Sequence, residues 1–408
     1  MNLLNGKKIL LCVGGGISAY KSVELLRLLK KEGCDVHVIL SPAGEKFVGR
    51  TTFQAISEHP ALVEMFDVSS DVEIKHVKLP AESDLIVVAP ATADIIGKLA
   101  NGIANDLLST SLLVPPPQKL LLCPAMNTAM WNNPAVQENI EKLKRRGVII
   151  VEPAEGELAC GFTGKGRMRE PQEIMDAIKE FFSPKFFMGK KMLITAGPTR
   201  EFIDDVRFIS NPSSGKMGYS FARAGKWMGA EVCLISGPTM LQPPSDVRII
   251  KVVSAEDMLK AVKEEIRDAD VIIKNAAVCD FKPKNRAKGK IKKEKGIPHI
   301  ELEMTKDILK EIKTIKGKRI VVGFAAETSD LDKNAKHKLK EKGLDFIVVN
   351  DVSRMDIGFE SDENEGYVFT SDGKKHHIPK CPKEEFAYRV LELIARESRI
   401  SHSSGKEG

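Results

Sequence analysis

Long apolar runs are missing from these 408 residues. None approaches the roughly 20 residues that cross a bilayer, which excludes a helical membrane protein. The opening Met1-Asn2-Leu3-Leu4-Asn5-Gly6-Lys7-Lys8 leads straight into a strand-like run and lacks the layout of a signal peptide. Cytoplasm is therefore the expected compartment. Cysteine pairs are missing too. The seven cysteines, at 12, 34, 123, 160, 233, 279 and 381, form no C-x-x-C and no His/Cys pairing at zinc spacing. Cys12, Cys123 and Cys233 lie in apolar strand-like runs and are expected to be buried packing residues. A strong charge of one sign is also absent, since the formal net charge is only +6. That argues against a nucleic-acid protein. The one dense cation run, Lys282–Lys295, holds eight cations and one acid with no interleaved aromatic to stack a base beyond Phe281 at its edge.

What is present is a globular composition, 42% hydrophobic and 29% charged. The length predicts two domains. Strand candidates in the first half are Lys8–Val13, Val36–Leu40, Leu85–Ala89, Leu120–Cys123 and Val148–Val151, with helical patterns such as Ala19–Lys31 and Pro134–Arg145 between them. The pattern restarts with Lys191–Thr195, Glu231–Ile235, Val271–Lys274, Arg319–Val322 and Phe346–Val349. Alternation of this kind implies parallel sheets with helices on both faces, so the expected fold is α/β, two doubly wound domains. The helix Pro171–Phe182 and the break Ser183-Pro184-Lys185 put the boundary near 183–190, giving domains 1–185 and 190–400. The Ser-, Lys- and Gly-rich tail after Glu397 is expected to be disordered.

In the first half, strand one ends in Gly14-Gly15-Gly16-Ile17-Ser18-Ala19 and a helix follows. Glycines there let the backbone approach an anion at a helix N-terminus; the bland alternative is a tight turn. A dinucleotide site would want an acid after strand two. Ser41-Pro42 stands there instead, and its hydroxyl suits a phosphate or ribityl contact. Pro90-Ala91-Thr92-Ala93-Asp94 and Pro124-Ala125-Met126-Asn127 follow later strands at the carboxyl edge, where open α/β sheets bind ligands. Asn101–Asp106 reads as a helix cap. His76, alone in Lys75-His76-Val77, reads as structural. Cys160, in Ala159-Cys160-Gly161-Phe162-Thr163-Gly164-Lys165-Gly166-Arg167-Met168, is placed as a reagent would be, beside two cations.

The ordered set G-G-G-I-S-A-Y-K, His76, P-A-M-N-x-x-M-W and A-C-G-x-x-G-x-G-R-M resembles the FMN-dependent phosphopantothenoylcysteine decarboxylase family. The resemblance implies a flavodoxin-like flavoprotein domain. In it FMN oxidises the substrate's cysteinyl thiol, the thioaldehyde loses carbon dioxide, and an ene-thiol is then reduced. It implies that His76 is the base or electrostatic partner, Asn127 holds the substrate carboxylate, and Cys160 donates a proton from a flap. A thiol with an ordinary pKa near 8.5 is protonated at neutral pH, as an acid must be. Gly15, Ser18, Ser41, Thr92, Ala93, Asp94 and Met126 would contact FMN. Lys165 and Arg167 would hold the substrate phosphate or be solvated loop charges.

In the second half, Ser210-Asn211-Pro212-Ser213-Ser214-Gly215-Lys216-Met217-Gly218 opens a helix over Tyr219–Met228. It lacks the first glycine and the final Ser/Thr of a P-loop, yet can still form an anion-binding nest. With N-A-A-V-C-D, K-I-K-K, G-F-A-A-E-T and V-V-N-D it resembles the phosphopantothenate–cysteine ligase family. The resemblance implies CTP as co-substrate, an acyl-cytidylate intermediate held by Asn211, and Lys290 neutralising charge that develops on phosphate. Ala276, Asp280, Lys306, Asp307, Ile308, Leu309, Phe324, Lys338 and Lys342 would contact CTP, with Mg²⁺ held through its phosphates. Cys279 stands where the family commonly has Ala, and Lys306-Asp307 where it often has Asn-Pro-Asp.

Together the two resemblances cover about residues 7–395. They imply a bifunctional enzyme of coenzyme A synthesis acting on 4′-phosphopantothenate, cysteine and CTP, and then on phosphopantothenoylcysteine. They also imply a homododecamer of decarboxylase trimers and ligase dimers, without nucleic acid or membrane. Two alternatives are a flavin prenyltransferase or other flavin-dependent cysteine decarboxylase fused to a reductase-like domain, and a non-catalytic flavin-binding regulator.

Overall fold

The computed structural model describes residues 3–65, 75–157, 163–292, 299–327, 331–351, 361–398 and 400; Lys75, His76, Glu157, Ala326, Glu327 and Asp351 are described by backbone alone. The chain forms two compact units, Met1–Phe182 and Ser183–Gly408. Cys160 and the tail beyond 400 lie outside the described residues.

Unit 1 is built on strands β1 (Lys8–Val13), β2 (Asp35–Leu40), β3 (Ala61–Leu62), β4 (Leu85–Ala91), β5 (Leu120–Pro124) and β6 (Ile149–Ile150). They form one sheet in the order β3-β2-β1-β4-β5-β6, every pair parallel. Without the two-residue β3 the order is that of flavodoxin; with it, that of a dinucleotide-binding sheet. β4 is buried along its whole length, as a strand covered on both faces must be. Core residues such as Leu11, Val13, Val87 and Leu121 pack on one face of the sheet, and Leu10, Cys12, Val88 and Leu122 on the other. Beyond β6 a hairpin of β7 (Ala154–Glu157) and β8 (Thr163–Arg167) leaves the sheet.

Unit 2 contains β9 (Lys191–Ala196), β10 (Arg200–Phe202), β11 (Phe208–Ser210), β12 (Glu231–Ser236), β13 (Arg248–Lys251), β14 (Val271–Lys274), β15 (Phe281–Pro283), β16 (Leu302–Met304), β17 (Ile320–Glu327), β18 (Phe346–Asp351), β19 (Glu363–Thr370) and β20 (Lys375–Pro382). The main sheet runs β13-β12-β9-β14-β17-β18-β19-β20. Its first six strands are parallel and the last two antiparallel. The sequence pattern predicts only five of these strands. β13 has just two apolar residues, Ile249 and Ile250, and β20 is mostly polar and exposed with prolines at 379 and 382, as an edge strand tolerates. The predicted helix Tyr219–Met228 in fact spans Lys216–Trp227. It starts three residues earlier because Gly215, at φ 79°, takes the left-handed turn that opens it.

Cys12 and Cys123 are fully buried, as expected, but Cys233 is only half-buried, its thiol 4.0 Å from a Glu265 carboxylate oxygen. Among the described residues no helix is long and apolar enough to cross a membrane.

Candidate active sites

In each unit the strand order reverses beside the first strand, between β1 and β4 and between β9 and β14. Loops leaving the carboxyl ends of such a strand pair diverge and open a crevice.

In unit 1 the Gly14 N–H donates to Pro90 O at 3.1 Å, tying the two loops at the reversal. Gly15 sits so close to Ala43 that an added Cβ would lie 2.4 Å from the Ala43 Cβ, whereas one on Gly16 would meet open space. Ser18 caps the Ala19–Lys31 helix by position, with no side-chain hydrogen bond to it. These loops wall a cavity of about 540 Å³ with Met126, Asn127 and the hairpin residues Gly166, Arg167 and Met168, a size in the usual range for a cofactor site. The hairpin base is fixed tightly. Met126 N–H donates to Gly166 O at 3.0 Å, and a Cβ on Gly166 would stand 2.3 Å from Met126 O. Lys21 is almost wholly buried and ties the chain leaving the hairpin's base to the helix, donating to Met168 O at 3.1 Å and to Glu170 Oε1 at 2.9 Å.

Gly15, Ser18, Thr92, Ala93, Met126 and Asn127 therefore come together around one cavity. Asn127 Oδ1 accepts the Ala129 N–H at 2.8 Å, fixing the amide. Ser41 and Asp94 do not line it. The buried Ser41 hydroxyl accepts the Gly44 N–H at 2.9 Å, and Asp94 pairs with Lys98 at 3.0 Å. Asp106 caps the Leu107–Ser111 helix in a capping box, as the cap reading expects. Lys165 pairs with Glu152 at 2.6 Å and Arg167 with Glu170 at 2.6 Å, so neither is a bare loop charge. Hydrogen bonds from Lys165 and Lys144 hold the Glu152 carboxyl below its ordinary pKa. His76 opens the Lys75–Glu82 helix, with only its backbone described. Ile17, Tyr20 and Met130, each about half exposed or more, stand at the cavity's walls.

In unit 2 the loops after β9 and β14 are joined by backbone hydrogen bonds, Ala277 N–H to Gly197 O at 2.9 Å and Thr199 N–H to Ala277 O at 3.3 Å. Asn211 spans the same turn, its Nδ2 donating to Ala277 O at 3.3 Å and Val278 O at 3.1 Å. Cys279 is buried and donates its thiol towards Thr199 O at 3.5 Å. Asp307 caps the Ile308–Lys313 helix by accepting the Leu309 N–H at 2.9 Å, and pairs with Lys342 at 3.0 Å. Desolvation works against the Asp307 carboxylate, but the Lys342 ammonium and the helix N–H groups hold its pKa below the ordinary value. Ile308 and Leu309 have buried side chains, so only their backbone could meet a ligand. Phe324 packs edge-on against Phe221 at 5.3 Å. Lys306 instead lines a separate 850 Å³ cavity against the Ala255–Glu265 helix.

The described part of the cation run is anchored. Gly289 N–H donates to Asp205 Oδ2 at 2.9 Å, Ile291 N–H to Asp204 Oδ2 at 3.1 Å, and Arg286 pairs with Asp205 at 3.1 Å. The exposed Lys290 thus rides between two pinned peptides. The N–H groups of Arg207 and Val206 hold the Asp204 carboxyl below its ordinary pKa. Sequence reasoning missed Asp204 and Asp205, and gave Lys21, the last residue of G-G-G-I-S-A-Y-K, no role of its own. The two aspartates act across more than eighty residues, and no local pattern links them to the loop.

Residues 2–183 match the flavoprotein family, and residues 187–397 match the DNA/pantothenate metabolism flavoprotein C-terminal domain. The chain is 45% identical over 401 residues to the coenzyme A biosynthesis bifunctional protein CoaBC of Bacillus subtilis (strain 168), covering 97% of this chain and 98% of that one. It belongs to the bifunctional coenzyme A biosynthesis protein family. The family's protein from Escherichia coli (strain K12) is 42% identical over 397 residues, covering 96% of this chain and 97% of its own length. A crystal structure of a CoaBC C-terminal domain is also similar, at 42% identity with a TM-score of 0.46, covering 53% of this chain and all of that domain. Within this family unit 1 is the flavoprotein half and unit 2 the C-terminal half.

Proposed function

We propose that this chain performs two successive reactions of coenzyme A synthesis. It is a carbon–nitrogen ligase and a carboxy-lyase on one chain. Unit 2 joins 4′-phosphopantothenate to cysteine, and unit 1 decarboxylates the product to 4′-phosphopantetheine. Near-full-length kinship across both units carries this reading. It disfavours an unrelated reductase-like second domain and a non-catalytic flavin-binding regulator.

In the ligase, the substrate carboxylate attacks the α-phosphate of CTP and pyrophosphate leaves; the cysteine amine then displaces CMP. Lys290 offsets charge on the phosphates. Asp280, Lys338, Lys342 and the 306–309 turn bind the nucleotide, with Mg²⁺ on its phosphates. Asn211 shapes the acyl-cytidylate site through the Ala277–Val278 carbonyls that it clamps.

The unit 1 cavity fits FMN. It offers open space at Gly16, a helix N-terminus for the phosphate, the Ser18, Thr92 and Asn127 polar groups, and the Lys21 and Arg167 cations among apolar neighbours. When bound, FMN supplies two-electron oxidation of the substrate's cysteinyl thiol and later returns those electrons. Asn127 holds the departing carboxylate, His76 serves as the base, and Cys160 donates the final proton. The exposed Ile17, Tyr20 and Met130 at the cavity favour packing between subunits there, as in a trimer within a dodecamer. The compartment is the cytoplasm.

The test is direct. The purified protein should carry flavin absorbance and sustain pyrophosphate release over many turnovers only with CTP, cysteine and 4′-phosphopantothenate together. A colourless protein that still ligates would remove the decarboxylase half, and a yellow one without pyrophosphate release would remove the ligase half.

A further inference from the structure

Lys274 ends β14, the strand beside the reversal in unit 2, and no family motif above includes it. It is half-buried, and its Nζ donates to the Ala276 carbonyl at 2.9 Å. Among the described residues that is its one hydrogen bond, and no carboxylate lies within ion-pair distance. An ammonium has three donors, so two are unspent. The surrounding charges are Asp307 and Asp280, which favour its protonated form, and Lys342, which opposes it. All three belong to segments read above as nucleotide contacts.

Ala276 itself has little to offer a ligand. Its methyl is buried, its N–H donates to Thr195 Oγ1 at 3.1 Å, and its carbonyl already accepts Lys274. The group at this point with donors to spare is the Lys274 ammonium. We propose that Lys274 is a nucleotide-binding residue of the ligase site, donating to an oxygen of the bound nucleoside triphosphate beside Lys342. This rests on the nucleotide reading of unit 2. A cation held in a poorly hydrated position gains more from an anion than a solvated one does.

Burial also lowers the ammonium's pKa to about 8. Free enzyme then loses this charge as pH rises through that value, and a nucleotide must bind with uptake of a proton. At pH 9 about one molecule in eleven is competent, against about ten in eleven at pH 7, so nucleotide affinity should fall about tenfold between them.

The experiment is equilibrium titration of the full-length protein with Mg²⁺–CTP at pH 7 and pH 9, without cysteine or phosphopantothenate. Wild type should bind about tenfold more weakly at pH 9. Lys274→Met should bind weakly at both, and Lys274→Arg, whose charge does not titrate here, should lose the pH dependence while keeping affinity. Unchanged flavin content reports that each variant is folded in unit 1, and a cooperative thermal transition reports the same for unit 2. If wild type binds CTP and Lys274→Met matches it at both pH values, the proposal is overturned and the ligase reading stands. If wild type binds no CTP, the ligase reading falls and takes this proposal with it.

Discussion

Units 1 and 2 open their crevices at the same place in the same kind of sheet, yet they hold them by different means. Unit 1 relies on missing side chains: Gly15 against Ala43 and Gly166 against Met126 bring backbone to backbone at distances that no Cβ permits. Unit 2 has such contacts too, Gly218 against Ala196 and Gly237 against Pro198 O, but adds charge, with Asp204 and Asp205 pinning the Lys290 turn and Lys342 pairing with Asp307. A crevice shaped by glycines is stiff and indifferent to pH. One shaped by ion pairs responds to salt and protons.

The contrast can be broken most sharply by separating the activities. Lys290→Gln should lower CTP-dependent pyrophosphate release by about 10²–10³-fold, the scale of a lost electrostatic donor, while decarboxylation of supplied phosphopantothenoylcysteine is unchanged. A parallel loss in both assays would mean that the units do not work independently. Gly166→Ala tests the other side. The new Cβ meets a backbone carbonyl that cannot swing away, so unit 1 should lose about 1–3 kcal/mol of stability and most of its bound flavin, with ligation intact. Flavin content and chemical denaturation followed by flavin fluorescence would measure this.

Lys21→Met should be milder. It removes two hydrogen bonds that anchor the hairpin, one of them to the half-exposed Glu170, at a cost of about 1–3 kcal/mol. Decarboxylase turnover should fall about tenfold with little change in flavin content; loss of flavin instead would place the lysine's role in cofactor binding. A further effect is on stability against pH. The folded-state pKa of Lys274 lies below its unfolded value, so between about pH 8 and 10 the unfolded chain binds more protons. Unit 2 should therefore gain stability as pH rises through that window, and Lys274→Met should abolish the gain. Thermal melts of both proteins at pH 8 and 10 would show it.

Much of this architecture is readable in advance where chemistry is local. The β-branched run Val271-Ile272-Ile273 reads as a covered strand, and Gly14-Gly15-Gly16 before an amphipathic helix as a strand-to-helix turn at a sheet edge. The glycine-built site is legible for the same reason, because its residues sit within a few positions of a strand end. The ion-pair site is less so. Asp204 and Asp205 resemble any polar turn until the fold carries Gly289 and Ile291 to them. Lys274 looks like the solvated end of a strand until its neighbours close round it. Ser41 misleads in the opposite direction: a hydroxyl at a strand's carboxyl edge suggests a ligand, but the proline after it starts a short helix that claims the oxygen as a cap. β19 and β20 escape notice because an antiparallel edge hairpin needs only one buried face.

The β7–β8 hairpin sets a length as well as a shape. Its last paired rung is Glu157 opposite Thr163, and its second strand is clamped at Gly164 and Gly166. Five residues join the rung's two ends, with Cys160 at their centre. Whatever path they follow, three residues of chain reach at most about 10 Å. The hairpin is thus a tether of set length, and inserting two residues on either side of Cys160 would lengthen the tether while leaving in place every cavity contact among the described residues.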